Sequence, residues 1–375
     1  MNRLFPLLIA ILVLSSALAG CVLSMPGQPS LPQQPQPNRD GADGRKIYWT
    51  GFTDGNEMKW RNAPDWASEI TFRDVPVRTD FVFLYEQEFM EEIRQKGLGH
   101  TRRPEFDAEY AATLQTAIDK HVPDIGFRGV ICFDIESLPF VWGDRTNGPG
   151  ISPKTDQGPH HADLWATWTR DTEPGLLNGR TTEEQERVLK RTYEGTARLW
   201  ITKTFDEVRR LRPRAKLAMY GLPAGSRYVQ YTYAEPNRWK KINDDARWLI
   251  DLQDVTVLVL YQNRKVRPRG EKAVFPILTY EEGVAYITDN VAEARRVAPE
   301  KPLLALIAFW HPDGKGEFDS WLNGPAMEVS IAETARAGAD KLIIWNYFNK
   351  AGQSTDFQRV LDERALGLLR EHWTR

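Results

Sequence analysis

Short apolar, β-branched runs alternate with helical stretches along this chain, and that alternation most constrains its fold. Residues 47–52, 81–85, 129–136, 217–220, 255–261, 303–310 and 342–345 read as strands. Between them, Tyr110, Leu114, Ile118 and Val122 recur at a helical period until Pro123 stops the helix predicted over 106–121. Thr181 and Glu184 stand at capping-box spacing and open a long helix that Pro213 ends. Further helices are predicted over 244–252, 289–297, 325–337 and 356–371, with Gly338 at a C-cap position. Repeated strand–helix units imply a parallel sheet covered by helices. No strand is followed by a glycine fingerprint for a dinucleotide or a phosphate. An α/β fold is therefore expected over residues 46–375: a (β/α) barrel of the TIM type, distorted, with seven or eight strands.

The first 45 residues do not join that pattern. Arg3, an apolar run over 4–14 and small residues after it make residues 1–20 a secretory signal pattern. The ending Leu18-Ala19-Gly20-Cys21 resembles the bacterial lipobox, which implies cleavage before Cys21 and lipidation of its thiol. Residues 21–45 are rich in Pro and Gln, cannot bury a core and read as an extended spacer. The expected location is the cell envelope, with the domain extracytoplasmic and held to a bacterial membrane by its lipid.

Composition excludes several classes. A formal net charge of -2 is not that of an electrostatic nucleic-acid binder. The two cysteines, Cys21 and Cys132, allow no disulfide within 46–375 and no cysteine-based zinc site. Cys132, inside an apolar run, reads as a small buried hydrophobe. Neither a cofactor nor a metal is expected, and a monomer is.

The run Gly129-Val130-Ile131-Cys132-Phe133-Asp134-Ile135-Glu136 carries two acids at i and i+2. Alternation along a strand points both to one side. Barrel enzymes build their sites at such C-terminal strand ends. Other strand runs also end in aromatic or polar residues: Tyr220, Tyr261, Trp310 with His311, and Trp345 with Asn346. Aromatic rings suit the apolar faces of sugars, and paired carboxyls serve glycoside hydrolysis. Two acids so close repel, so one stays protonated as a general acid. Their proximity also leaves Asp134 badly placed to attack a sugar carbon from the opposite face. A mechanism in which a 2-acetamido group supplies the nucleophile fits better, with Asp134 orienting the amide and Glu136 protonating the leaving oxygen.

These residues carry a family resemblance. The segment ending Asp134-Ile135-Glu136 resembles the G-V-x-V-I-D-W-E segment of glycoside hydrolase family 56, the hyaluronidases. Tyr220-Gly221-Leu222-Pro223 with Tyr228, Val257 to Tyr261, and Leu342 to Trp345 resemble three further stretches of that family, in the same order. The resemblance implies a distorted (β/α) barrel that hydrolyses β-linked N-acetylhexosamine polysaccharide. It makes Glu136 the acid/base and Asp134 the acetamido-positioning residue, with Tyr261 and Trp345 lining the sugar subsite. Ile135 stands where the family has Trp, and Asn346-Tyr347 where it has Gly-Ser. A chitinase-type D-x-D-x-E match is poorer, because Cys132 takes the place of its earlier Asp.

Other readings stay open. Residues 138–181 lack periodicity and, with Trp142, Trp165 and Trp168, read as a cleft wall. Arg264, Lys265, Arg267, Arg269 and Lys272 form a basic cluster that suits either an anionic polymer or plain solvent. His160 and His161 with the two acids would make a metal-dependent hydrolase. A barrel that binds sugar without cleaving it, as a surface lipoprotein, is the remaining alternative.

Overall fold

A computed structural model of the protein describes residues 46–53, 70–136, 138, 140–142, 161–224, 238–261, 268–270, 278–311, 320–348 and 353–374. The expected signal, the expected lipidation residue Cys21 and the expected spacer lie outside them. Among the described residues no helix is long and apolar enough to cross a membrane.

The strands are β1 (Lys46–Thr53), β2 (Val77–Arg78), β3 (Phe81–Tyr85), β4 (Val130–Asp134), β5 (Lys216–Met219), β6 (Thr256–Val259), β7 (Leu303–Ala308), β8 (Trp310–His311), β9 (Ser320–Trp321) and β10 (Lys341–Phe348). The helices are α1 (Glu86–Phe89), α2 (Glu91–Lys96), α3 (Phe106–His121), α4 (His161–Thr172), α5 (Thr182–Leu211), α6 (Arg238–Asp245), α7 (Arg247–Leu252), α8 (Tyr280–Val297), α9 (Gly324–Glu328), α10 (Thr334–Arg336), α11 (Gln353–Val360) and α12 (Leu366–Trp373). A π-turn joins α9 to α10, and another joins α11 to α12.

Parallel ladders run through two arcs, β2-β1-β10-β7-β6 and β3-β4-β5. Side chains unite them into one barrel. Tyr48 of β1, Phe81 and Phe83 of β3, Val130 and Cys132 of β4, Ala218 of β5, Val257 of β6, Leu304 and Leu306 of β7 and Ile343 of β10 share one buried cluster. Tyr48 packs on Phe81 across one seam, their ring centroids 5.8 Å apart. At the other, the Asp254 N–H donates to the Leu217 carbonyl at 2.8 Å. Alternate residues face outward: Ile131, Phe133 and Ile135 pack under α3 and α5, and Leu342 and Ile344 under α8 and α12. The period of two thus separates barrel interior from helix layer.

Most expected elements stand where their periodicity places them. Both expected boundaries of α3 hold, and Thr181 and Glu184 form both hydrogen bonds of the capping box on α5. Three differ. The barrel strand β7 ends at Ala308, and Trp310 lies in a separate antiparallel ribbon opposite Trp321. The helix α8 begins nine residues earlier than the expected 289, at Tyr280, under a second capping box, Thr279 with Glu282. The aperiodic stretch 138–181 holds a helix after all, α4, with Trp165 buried against Tyr193. Its buried residues His161, Ala162, Trp165, Ala166 and Thr169 do mark one face, but polar residues at several of those positions hide it from a hydropathy reading.

Candidate active site

Glycine starts the construction. A Cβ on Gly129 would lie 1.9 Å from the Asp80 carbonyl oxygen, so only glycine lets β4 enter beside β3. From there the register pairs Tyr85 with Asp134 at the C-terminal end of both strands. Strand β4 ends at Asp134, so Ile135 and Glu136 lie just past it. Alternation nonetheless continues. Ile135 is buried among Phe133 and the helix layer, Cys132 and Asp134 face the interior side, and Glu136 is exposed at the mouth.

The Asp134 Oδ1 is enclosed and has no hydrogen-bond partner among the described residues. Burial pushes the Asp134 carboxyl well above the usual carboxylate range, and the charges of Glu136 and then Glu86 push it the same way. Glu86 is buried at 5% exposure, and its Oε2 accepts the Glu136 backbone N–H at 3.0 Å. Cys132, one turn of the alternation below Asp134, is a free, fully buried thiol whose pKa is raised by that burial.

Aromatic groups surround the acids. Tyr220 follows β5, and its N–H donates to the Phe133 carbonyl at 2.9 Å, which fixes it beside Asp134. Gly221 then turns the chain at φ 66°, a conformation that favours glycine, and Leu222 bridges to Val257. Tyr261 follows β6, is hydrogen-bonded to the Tyr220 hydroxyl and stacks on Trp345 at 5.5 Å and 25°. Trp345 hydrogen-bonds Tyr85. Burial raises the pKa of Tyr85 and of Tyr261, so both hydroxyls are neutral donors.

Asp134, Tyr220, Tyr261 and Trp345 are therefore brought to one mouth, with Glu136 at its rim. The side chains of Trp310 and Asn346 lie outside the described residues; the Asn346 backbone pairs with Gly51 in the β1–β10 ladder. Tyr85 and Glu86 join the site unforeseen. Their signal was available, since Phe-Val-Phe-Leu-Tyr-Glu also ends a strand in an aromatic and an acid. Of the basic cluster, Arg269 is described; it is exposed and lies 4.5 Å from the Tyr280 ring centroid. His160 lies outside the described residues, and among those described no group of three or more His, Cys, Asp and Glu is placed to hold a metal ion.

No protein-family model matches the chain. Individual proteins do. It is 27% identical to human (Homo sapiens) hyaluronidase-1 over 169 residues, 43% of this chain and 35% of that protein. It is 25% identical to the hyaluronidase of Apis mellifera over 238 residues, 60% of this chain and 53% of that protein. The chain thus spans between a third and about half the length of these two relatives. The fold agrees over a longer stretch. Bee venom hyaluronidase superposes with a TM-score of 0.64 at 18% identity, covering 87% of this chain and 99% of that one. In sequence, distantly, and in fold, the chain is similar to hyaluronidases. The same bee venom fold, solved in complex with a hyaluronic acid tetramer, matches with a TM-score of 0.64 over 88% of this chain. The likeness in fold agrees with the barrel of parallel strands described above.

Proposed function

We propose that this protein is a glycoside hydrolase acting on β-linked N-acetylhexosamine polysaccharide with retention of configuration. One observation carries the proposal: an enclosed Asp134 oxygen without a partner among the described residues lies two residues from an exposed Glu136, beside Tyr85, Tyr220, Tyr261 and Trp345. A buried carboxyl oxygen left unsatisfied costs on the order of 1–3 kcal/mol unless something bonds it. The N–H of a substrate acetamido group is a donor of the right kind.

In the proposed reaction the acetamido carbonyl oxygen attacks the anomeric carbon as the glycosidic C–O bond breaks. Glu136 gives its proton to the leaving oxygen. Asp134 accepts the amide N–H and so orients the carbonyl oxygen toward the anomeric carbon. The Glu136 carboxylate then takes a proton from water, whose oxygen attacks the anomeric carbon and reopens the ring. Two displacements give retention. Trp345 offers an aromatic face and Tyr261 a hydroxyl to the sugar, and the proposed subsite extends to Tyr220, Trp310 and Asn346. The similarity to hyaluronidases supports this substrate class.

The proposal extends to location. The signal pattern and Cys21 support an envelope lipoprotein held to the membrane by its lipid. No cofactor enters the reaction as written.

The experiment is product analysis by mass on chitin-like oligosaccharides, hyaluronan, chondroitin and peptidoglycan. Wild type should cleave at least one, and Glu136→Gln should lose at least roughly 100-fold in turnover while still binding it. A wild type that binds sugars and cleaves none would replace the enzyme with a carbohydrate-binding lipoprotein. Activity lost to EDTA and restored by a divalent metal would favour a metal-dependent hydrolase instead.

A further inference from the structure

Glu136 stands past the last residue of β4, where a strand no longer dictates its direction. Its backbone is nonetheless held, and the holding group is unusual. In the β3–β4 ladder the Val130 N–H donates to the Asp80 carbonyl at 2.9 Å. A parallel ladder repeats such rungs every two residues, and the register pairs Val130 with Phe81 and Asp134 with Tyr85. Continued at that period, the rung from the Glu136 N–H falls on the carbonyl of residue 86. That carbonyl is already committed: it accepts the Met90 N–H at 2.8 Å, because the chain has turned into α1. The side chain of the same residue takes its place, with the Glu136 N–H donating to Glu86 Oε2 at 3.0 Å.

We infer that Glu86 is a positioning residue, its carboxylate standing in for its own carbonyl so that the β4 ladder gains one more rung and Glu136 stays in register. This rests on the proposed function, in which Glu136 is the acid. The consequence is directional. With the rung in place, residue 136 follows residue 134 by the alternation of a strand, and its side chain is delivered over the mouth while Ile135 stays buried. Without it, the Glu136 N–H has no ladder partner and the loop is free to turn the acid away. Glu86 is 5% exposed, so water does not compete for its carboxylate as it would at the surface.

The full chain tests this. Glu86→Met keeps the length of the side chain and removes the acceptor; Glu86→Ala removes both; Glu86→Gln keeps an acceptor oxygen. Two quantities are read: hydrogen exchange of the Glu136 amide, and kcat and KM on an N-acetylhexosaminide oligosaccharide, with Glu136→Gln as reference. In Glu86→Met or Glu86→Ala the amide should exchange at least about 10-fold faster, and kcat should fall roughly 10–100-fold with KM within about threefold. Glu86→Gln should restore both to within about threefold of wild type. Unchanged exchange in Glu86→Met, or a Glu86→Gln as impaired as Glu86→Ala, overturns the inference. If Glu86→Ala does not fold, Glu86→Met and Glu86→Gln decide. Should wild type cleave nothing, the proposed function falls while the exchange measurement still decides the role of Glu86.

Discussion

Asp134 sits where burial and two neighbouring carboxylates all oppose its ionisation. A carboxyl whose native pKa lies above its unfolded value favours the native state at low pH and penalises it as pH rises through the native pKa. Asp134→Asn removes the penalised ionisation. The variant should melt above wild type at neutral pH, by about 2 °C or more, and the gap should close below about pH 4, where the acid is protonated in both states. Equal melting at pH 7 would show that the site tolerates the charge. Gly129 makes the opposite case, a residue that is there for space. Gly129→Ala drives a Cβ into the Asp80 carbonyl, backbone against backbone, and should cost about 1–3 kcal/mol by denaturant unfolding. The site acids follow directly on that strand, so turnover should fall with stability.

Two helices carry the same device at their entry. Thr181 accepts the Glu184 N–H at 3.3 Å and Glu184 reaches back to the Thr181 N–H at 2.9 Å. Thr279 and Glu282 repeat the exchange at 3.1 and 2.8 Å. Each pair satisfies donors that a helix start leaves orphaned. Thr181→Ala and Thr279→Ala should each cost about 1 kcal/mol, and the double variant should cost their sum. A double variant far from additive would mean that the two helices are coupled through the core. The Thr181 box was legible because polar residues precede a clear apolar period. The Thr279 box was not, since Tyr280, Gly283 and Asn290 are buried on α8 yet carry little hydropathy signal. Helix α4 was missed for the same reason: His161 and Thr169 are buried on its inner face.

At the scale of the molecule, a barrel brings strand ends into one place, and that is why residues from β3, β4, β5, β6 and β10 meet. The proposed lipid anchor belongs to the same scale, since it would decide where such a site works. Cys21→Ser should move the protein from the detergent phase to the aqueous phase on phase separation, with kcat unchanged. A wild type already found in the aqueous phase would remove the lipoprotein from the account.

Sequence alone determined what is local or periodic. It placed Asp134 and Glu136 two apart after an apolar run, set Pro123 to end a helix, and ended several strands in Tyr or Trp, because each of these depends on residues within a few positions. Tertiary structure decided what depends on distance. The Tyr261 ring lies on Trp345, and the Tyr220 hydroxyl is bonded to Tyr261, across strands far apart in the chain. The raised pKa of Asp134 comes from burial that no spacing encodes. Glu86, 50 positions from the amide it holds, has a partner only because β3 lies beside β4 in that register and turns into a helix one residue too soon to offer its carbonyl.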